Sequence, residues 1–86
     1  MSRKYTLSEM RAKNKAAGHY WYQGMTKKYR DAYNIKSEHT YYDGSDNWIC
    51  VTYGTGRKSW YYFNPTTGHI SPVNADKVPM KIREKA

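Results

Sequence analysis

The strongest constraint on this chain is the stretch from Trp48 to Val73, WICVTYGTGRKSWYYFNPTTGHISPV. Two turn signals, Gly54-Thr55-Gly56 and Asn64-Pro65-Thr66-Thr67-Gly68, cut it into three short apolar runs. The middle run, Ser59 to Phe63, is almost wholly aromatic. The stretch also holds two of the three tryptophans and the only phenylalanine, so the core has to be built here. Aromatic and β-branched residues fit a pleated, half-buried surface, and large rings remove much apolar area from water. An antiparallel meander follows, with Trp60 to Phe63 as its most buried strand.

The flanking strands follow from the same logic. Glu38 to Tyr42 reads as a strand, and Asp43-Gly44 opens a favoured hairpin turn. Trp48 to Tyr53 places Trp48, Cys50 and Thr52 on one face and Ile49, Val51 and Tyr53 on the other. Lys58 to Phe63 comes next. Pro65 and Gly68 suit the following turn, and His69 to Val73 makes a last strand that Pro72 confines to an edge.

Before the sheet, Thr6-Leu7-Ser8-Glu9 fits a reciprocal capping box. Gly18 supplies a left-handed stop, so a helix is expected from Leu7 to Ala17. Its apolar face is thin: Leu7, Met10 and Ala17, with Asn14 among them. Arg11 and Lys15 share an outward face, and Lys13 lies on the opposite flank. Trp21, in the run His19 to Tyr22, is expected to anchor this helix to the sheet. Met25, Tyr29 and Tyr33 recur every four residues and suggest a second helix or a looser turn, with Lys27–Asp31 as a pair one turn apart and Asn34 as its end. The expected fold is α+β: an N-terminal helix and a short second helix packed on a meander of four to five antiparallel strands. With 86 residues it is a single small domain, 1–86. Residues 1–4 and 81–86 are expected to fray, because the tail lacks an aromatic anchor.

Charge is unevenly placed. The formal net charge is +8, and residues 1–37 carry nine Lys/Arg against two acidic residues, whereas residues 38–73 are close to neutral. A positive field of this kind attracts polyanions or acidic protein surfaces. The candidate partner- or nucleic-acid-binding residues are Arg11, Lys13, Lys15, Tyr20, Lys27, Lys28, Tyr29 and Arg30. Arg11, Lys15, Lys27, Lys28 and Arg30 have no obvious structural partner in the sequence. Reversing Arg11 and Lys15 is therefore expected to abolish partner binding and leave the fold intact. A solvated helix face is the plain alternative.

Catalytic patterns are sought without result. His19, His39 and His69 have no helical spacing and no metal-ligand spacing. Cys50, between Ile49 and Val51, reads as a buried and unreactive thiol. Gly54-Thr55-Gly56-Arg57-Lys58 lacks the spacing of a phosphate loop. Asp43 and Asp46 lack the bidentate glutamate of a calcium loop. No enzyme, cofactor or metal is expected. No apolar run approaches the ~20 residues of a membrane span, and no secretory signal opens the chain, so a reducing cytoplasm is the expected setting.

Two segments carry a resemblance. Arg11-Ala12-Lys13-Asn14-Lys15-Ala16-Ala17-Gly18-His19-Tyr20-Trp21-Tyr22 resembles the opening of small phage-encoded proteins, a basic Ala-rich helix followed by Gly-His and an aromatic triplet. Tyr62-Phe63-Asn64-Pro65-Thr66-Thr67-Gly68-His69-Ile70 resembles their later strand and turn. The resemblance covers about half the chain and implies a phage setting, in the cytoplasm of an infected bacterial host. It carries over no activity.

Three functions are then expected in competition. One is a non-catalytic inhibitor of a host defence or nucleic-acid-processing machine, anti-CRISPR-like, binding a host protein or nucleoprotein complex. The second is a module that binds DNA or RNA directly. The third is a structural or virion protein. None needs a membrane or a small-molecule substrate.

The capping box gives a direct check. Thr6→Ala removes the N-cap and costs about 1 kcal/mol, read as a lower urea midpoint. An unchanged midpoint places the helix start elsewhere.

Overall fold

A computed structural model describes residues 3–19, 21 and 27–86. Helix α1 spans Leu7–Ala16 and α2 spans Lys27–Ala32. Strands β1 (Ile35–Tyr42), β2 (Asn47–Tyr53), β3 (Lys58–Phe63) and β4 (Ile70–Val73) follow, then a 3-10 turn (Ala75–Lys77) and a short helix α3 (Met80–Arg83). The four strands form one antiparallel meander in the order β1-β2-β3-β4. The fold is α+β, as the sequence leads one to expect.

The capping box is formed. The Glu9 backbone N–H donates to the Thr6 hydroxyl, 3.2 Å, and the Thr6 N–H donates to the Glu9 carboxylate, 2.9 Å. Gly18 takes φ +79° beyond the end of the helix. At the far end of α2, Asn34 sits at φ 57° and accepts the Gly54 N–H, which ties the helix exit to the β2–β3 turn. Strand β1 starts earlier than its apolar residues suggest. Ile35 pairs with Tyr53 across a register shift, so the polar residues Lys36 and Ser37 are carried into the ladder.

Pairing fixes which residues share a face. Glu38 lies opposite Val51, Thr40 opposite Ile49 and Tyr61 opposite Ile49. On this face Met10 and Trp21 pack with Ile49, Val51, Tyr61, Phe63 and Ile70. Trp21 meets Tyr61 edge-on, with ring centroids 5.7 Å apart, and so anchors the chain to the sheet as expected. The other face carries Trp48, Cys50 and Trp60, and Val78 and Ile82 from the tail cover it. Trp48 and Trp60 are both buried, which makes them core.

The tail departs from expectation. It lacks an aromatic anchor, yet Ile82 is 1% exposed and lies against the tryptophan face. An aliphatic side chain suffices because the two indoles and Cys50 already form a broad apolar floor. The backbone N–H groups of Ile82 and Arg83 both bond the carbonyl of Pro79, which starts α3. The Lys81 ammonium reaches the Asp43 carbonyl, and Lys58 reaches the carbonyl of Ala86.

A tail docked this way stabilises the domain. Ile82→Ala removes about 2–5 kcal/mol, enough to unfold much of a marginal domain. Thermal melting checks this, and a melting temperature equal to the parent's means that the tail only rests on the sheet.

Candidate functional site

The basic N-terminal third forms two flanks of α1, with Lys13 across the helix from Arg11 and Lys15 as the helical spacing leads one to expect. On the first flank, Arg11 reaches across to β1 and donates to the Glu38 carboxylate at 2.6 Å. Arg30, in the last turn of α2, pairs with the other oxygen of the same carboxylate at 3.1 Å. The Glu38 side chain is 3% exposed, whereas Arg11 and Arg30 are 31% and 42% exposed. The guanidinium of Arg11 also stands over the Trp21 ring, 5.9 Å from its centroid. Lys15, four residues on from Arg11, is exposed, as are Lys27 and Lys28 in the first turn of α2. Lys27 lies 3.9 Å from Asp31 with both side chains in solvent, so this pair holds little energy.

On the second flank, Lys13 stands over the Tyr5 ring at 5.8 Å, and Arg3 packs on the same ring at 4.0 Å. Tyr5 itself packs edge-on against Phe63, so its ring is part of the wall and is not a free stacking platform. Arg3 also donates to the Glu9 carboxylate at 2.6 Å. That bond, with the Thr6 N–H, holds the Glu9 carboxyl down at about 2. Arg3 and Glu9 thus largely cancel, and Lys13 is the outward charge of this flank.

Two sequence expectations need correction. Arg11 and Arg30 are not partnerless: both are committed to Glu38. An acid in a strand-like EHTYY run gives no hint that it serves two arginines from two different helices. The link appears only once β1 pairs with β2 and turns Glu38 toward α1. For the same reason, charge reversal at Arg11 is not neutral to the fold. It would set a second carboxylate against a carboxylate that has little access to water. Glu38 is the residue missed in the sequence. The signal was its lone acidic position in residues 32–42, in a strand whose alternation carries it to the face of Ile49 and Val51.

The structure therefore brings Arg11 and Arg30 together on one carboxylate, with Lys15 one helical turn from Arg11. It leaves Lys13 on the opposite flank. Tyr20 and the side chain of Tyr29 lie outside the described part of the structure. Tyr33 is 52% exposed just beyond α2.

The remaining titratable groups serve the scaffold. Burial pushes the Cys50 thiol up, away from the thiolate that a nucleophile needs. Asp43 accepts the backbone N–H groups of Ser45 and Asp46 and the Trp48 indole N–H, which closes the β1–β2 turn. His19 and His69 lie 4.7 Å apart, centroid to centroid, where the end of α1 meets the β3–β4 turn. Among the described residues, no group of three His, Cys, Asp or Glu side chains is placed to hold a metal.

The two lysine/arginine positions of one helix face separate cleanly in a stability measurement. Arg11→Glu costs more than about 2 kcal/mol, because it leaves Glu38 beside a like charge. Lys15→Glu stays within ~0.5 kcal/mol. Urea unfolding of the two single variants checks this, and equal losses would remove the ion pair from the account.

Compared with known proteins, the chain matches no family model, no curated protein and no solved structure, so the site is read from its own residues alone.

Proposed function

We propose that this chain is a non-catalytic binding protein that engages a host nucleic-acid-processing machine through the basic face of α1 and α2, and inhibits it there. The observation that carries the proposal is the direction of the charge around Glu38. The acid is inside, two arginines stand over it half-exposed, and Lys15, Lys27 and Lys28 stand in solvent nearby. Such a surface presents a positive field to an anionic partner without rearrangement. Trp48, Trp60, Tyr61 and Phe63 of the sheet are buried as core, and Tyr41, Tyr53 and Tyr62 pack half-buried against it, so the face of α1 and α2 works by charge and shape.

The phage resemblance of the two sequence segments supports an inhibitor among binding proteins, and an anti-CRISPR-like role is one form of it. A second reading, direct binding of DNA or RNA, draws on the same exposed lysines. A structural or virion role would show as self-assembly. No helix among the described residues is long and apolar enough to cross a membrane.

The experiment is capture from a bacterial lysate with the full chain, with and without nuclease. The expected result is a protein partner that survives nuclease and is lost with Lys15→Glu and Lys27→Glu together. Both side chains are exposed, and Lys27 has only the solvent-exposed Asp31 3.9 Å away, so the double variant loses no more than about 1 kcal/mol and stays folded. Lys77→Glu, in the 3-10 turn, is the control and leaves capture unchanged. A signal destroyed by nuclease selects direct nucleic-acid binding. Capture unaffected by the lysine reversal overturns the use of this face.

A further inference from the structure

We propose that the Arg11–Glu38–Arg30 cluster is a seat for one phosphate of a nucleic-acid backbone. This rests on the reading of the basic face as a binding surface and adds what the face grips. Two guanidiniums share one carboxylate, so the cluster carries a net charge of +1 and not zero. The single negative charge is 3% exposed, and the two positive heads are 31% and 42% exposed. Seen from solvent, the cluster is therefore cationic.

A purely structural pairing does not need this excess. One arginine neutralises a carboxylate, and a second, brought from another helix, adds a desolvation cost without a second counter-charge. The arrangement is instead suited to holding arginine heads still. Glu38 takes Arg11 on one oxygen and Arg30 on the other, at 2.6 and 3.1 Å. Each head is thus fixed from below by a group that water scarcely reaches. The planar guanidinium fork matches phosphate oxygens, and a fork already held loses less freedom when it binds.

The surroundings favour a regularly charged polymer. Lys15 lies one turn along α1 from Arg11, and Lys27 lies nearly one turn before Arg30 along α2, so positive charge continues on both sides of the seat. Of the other acids in the first 37 residues, Asp31 stands in solvent 3.9 Å from Lys27, and Glu9 faces Arg3 on the other flank. The ring beneath Arg11 is Trp21, which is buried and cannot accept a base. Recognition at this point is then of the backbone, without reading of sequence.

The test uses Glu38→Gln and Arg30→Gln in the full chain. The probe is a fluorescein-labelled thymidine homopolymer of about 20 nucleotides, followed by anisotropy over a salt series. Glu38→Gln keeps the shape and an acceptor but removes the competing negative charge. It also frees both arginine heads, so despite the added positive charge it binds the oligonucleotide no more tightly than the parent, whereas a basic surface without a seat gains about five-fold at ~0.1 M salt, roughly one counterion from a single strand. Arg30→Gln binds more weakly by the same factor, with a slope shallower by about 0.7. A five-fold gain for Glu38→Gln therefore overturns the seat, since the added charge alone accounts for it. If Glu38→Gln melts too low to measure, Arg30→Gln decides, because that head is the more exposed of the two.

Arg30→Gln binding like the parent, while the Lys15/Lys27 reversal still removes binding, overturns the phosphate seat and leaves the basic face in use. No oligonucleotide binding by the parent, with a nuclease-resistant protein partner still captured, also overturns the seat and assigns the face to an acidic protein surface. The function itself fails separately, when the Lys15/Lys27 reversal leaves every capture intact.

Discussion

Strand β2 is buried along both of its faces, and the rest of the structure follows from that. All five residues from Asn47 to Val51 are buried. An antiparallel meander commonly leaves one face to water and alternates accordingly. Here Trp48 and Cys50 point to one side and Ile49 and Val51 to the other, and neither set tolerates solvent. Two covers are required, and a small domain has only its two ends to supply them. Helix α1 and Trp21 close one face; Val78 and Ile82 close the other. The chain is thus wrapped around β2 from both termini, which explains why a tail of mostly polar residues is held against the sheet.

The first cover is thin in apolar terms, and hydrogen bonds fix its position. Met10 is the main apolar side chain that α1 buries. Asn14, also buried, donates to the Gly68 carbonyl at 3.0 Å. Gly68 lies so close beneath the helix that a Cβ would stand 2.6 Å from the Lys13 carbonyl, and its φ of +77° already disfavours a side chain. At the other end, Asn47 accepts the Tyr5 N–H at 2.9 Å and donates to the Arg3 carbonyl at 2.8 Å. Each such bond adds only ~1 kcal/mol net, but an unmet buried amide costs more, so the two asparagines specify one docking pose. Methyl groups alone would let this helix slide.

Much of the fold was legible because turn residues and ring-rich runs speak locally. Lys58 to Phe63 was delimited by the glycines before it and Asn64-Pro65 after it. The capping box placed the start of α1 through side-chain chemistry confined to four residues. What escaped was long-range. Ile35 to Ser37 look like loop residues, and only the partner strand makes them β. Ile82 looks like a stray aliphatic in a charged tail, and only the tryptophan floor gives it a place. Glu38 looks like a surface strand residue, and only the pairing with Val51 turns it toward α1. In each case the deciding group lies more than ten residues away in sequence.

The same distinction separates a count of charge from a field. The sequence counts nine basic residues in its first 37 and shows no partner for Arg11 or Arg30. The structure divides them by geometry. Arg3 is spent on Glu9, while Arg11 and Arg30 face each other across Glu38. What reaches solvent depends on depth as much as on sign: a buried acid under two half-exposed arginines screens little of their charge at the surface, because the opposite charges sit at different distances from water. A fully exposed acid in the same place would leave the same net charge of +1, but it would stand beside the arginine heads and repel an incoming anion directly. The burial of Glu38 therefore does two things at once. It fixes α1 and α2 to β1 through one carboxylate, and it keeps the positive charge on the outside, where an anionic partner meets it.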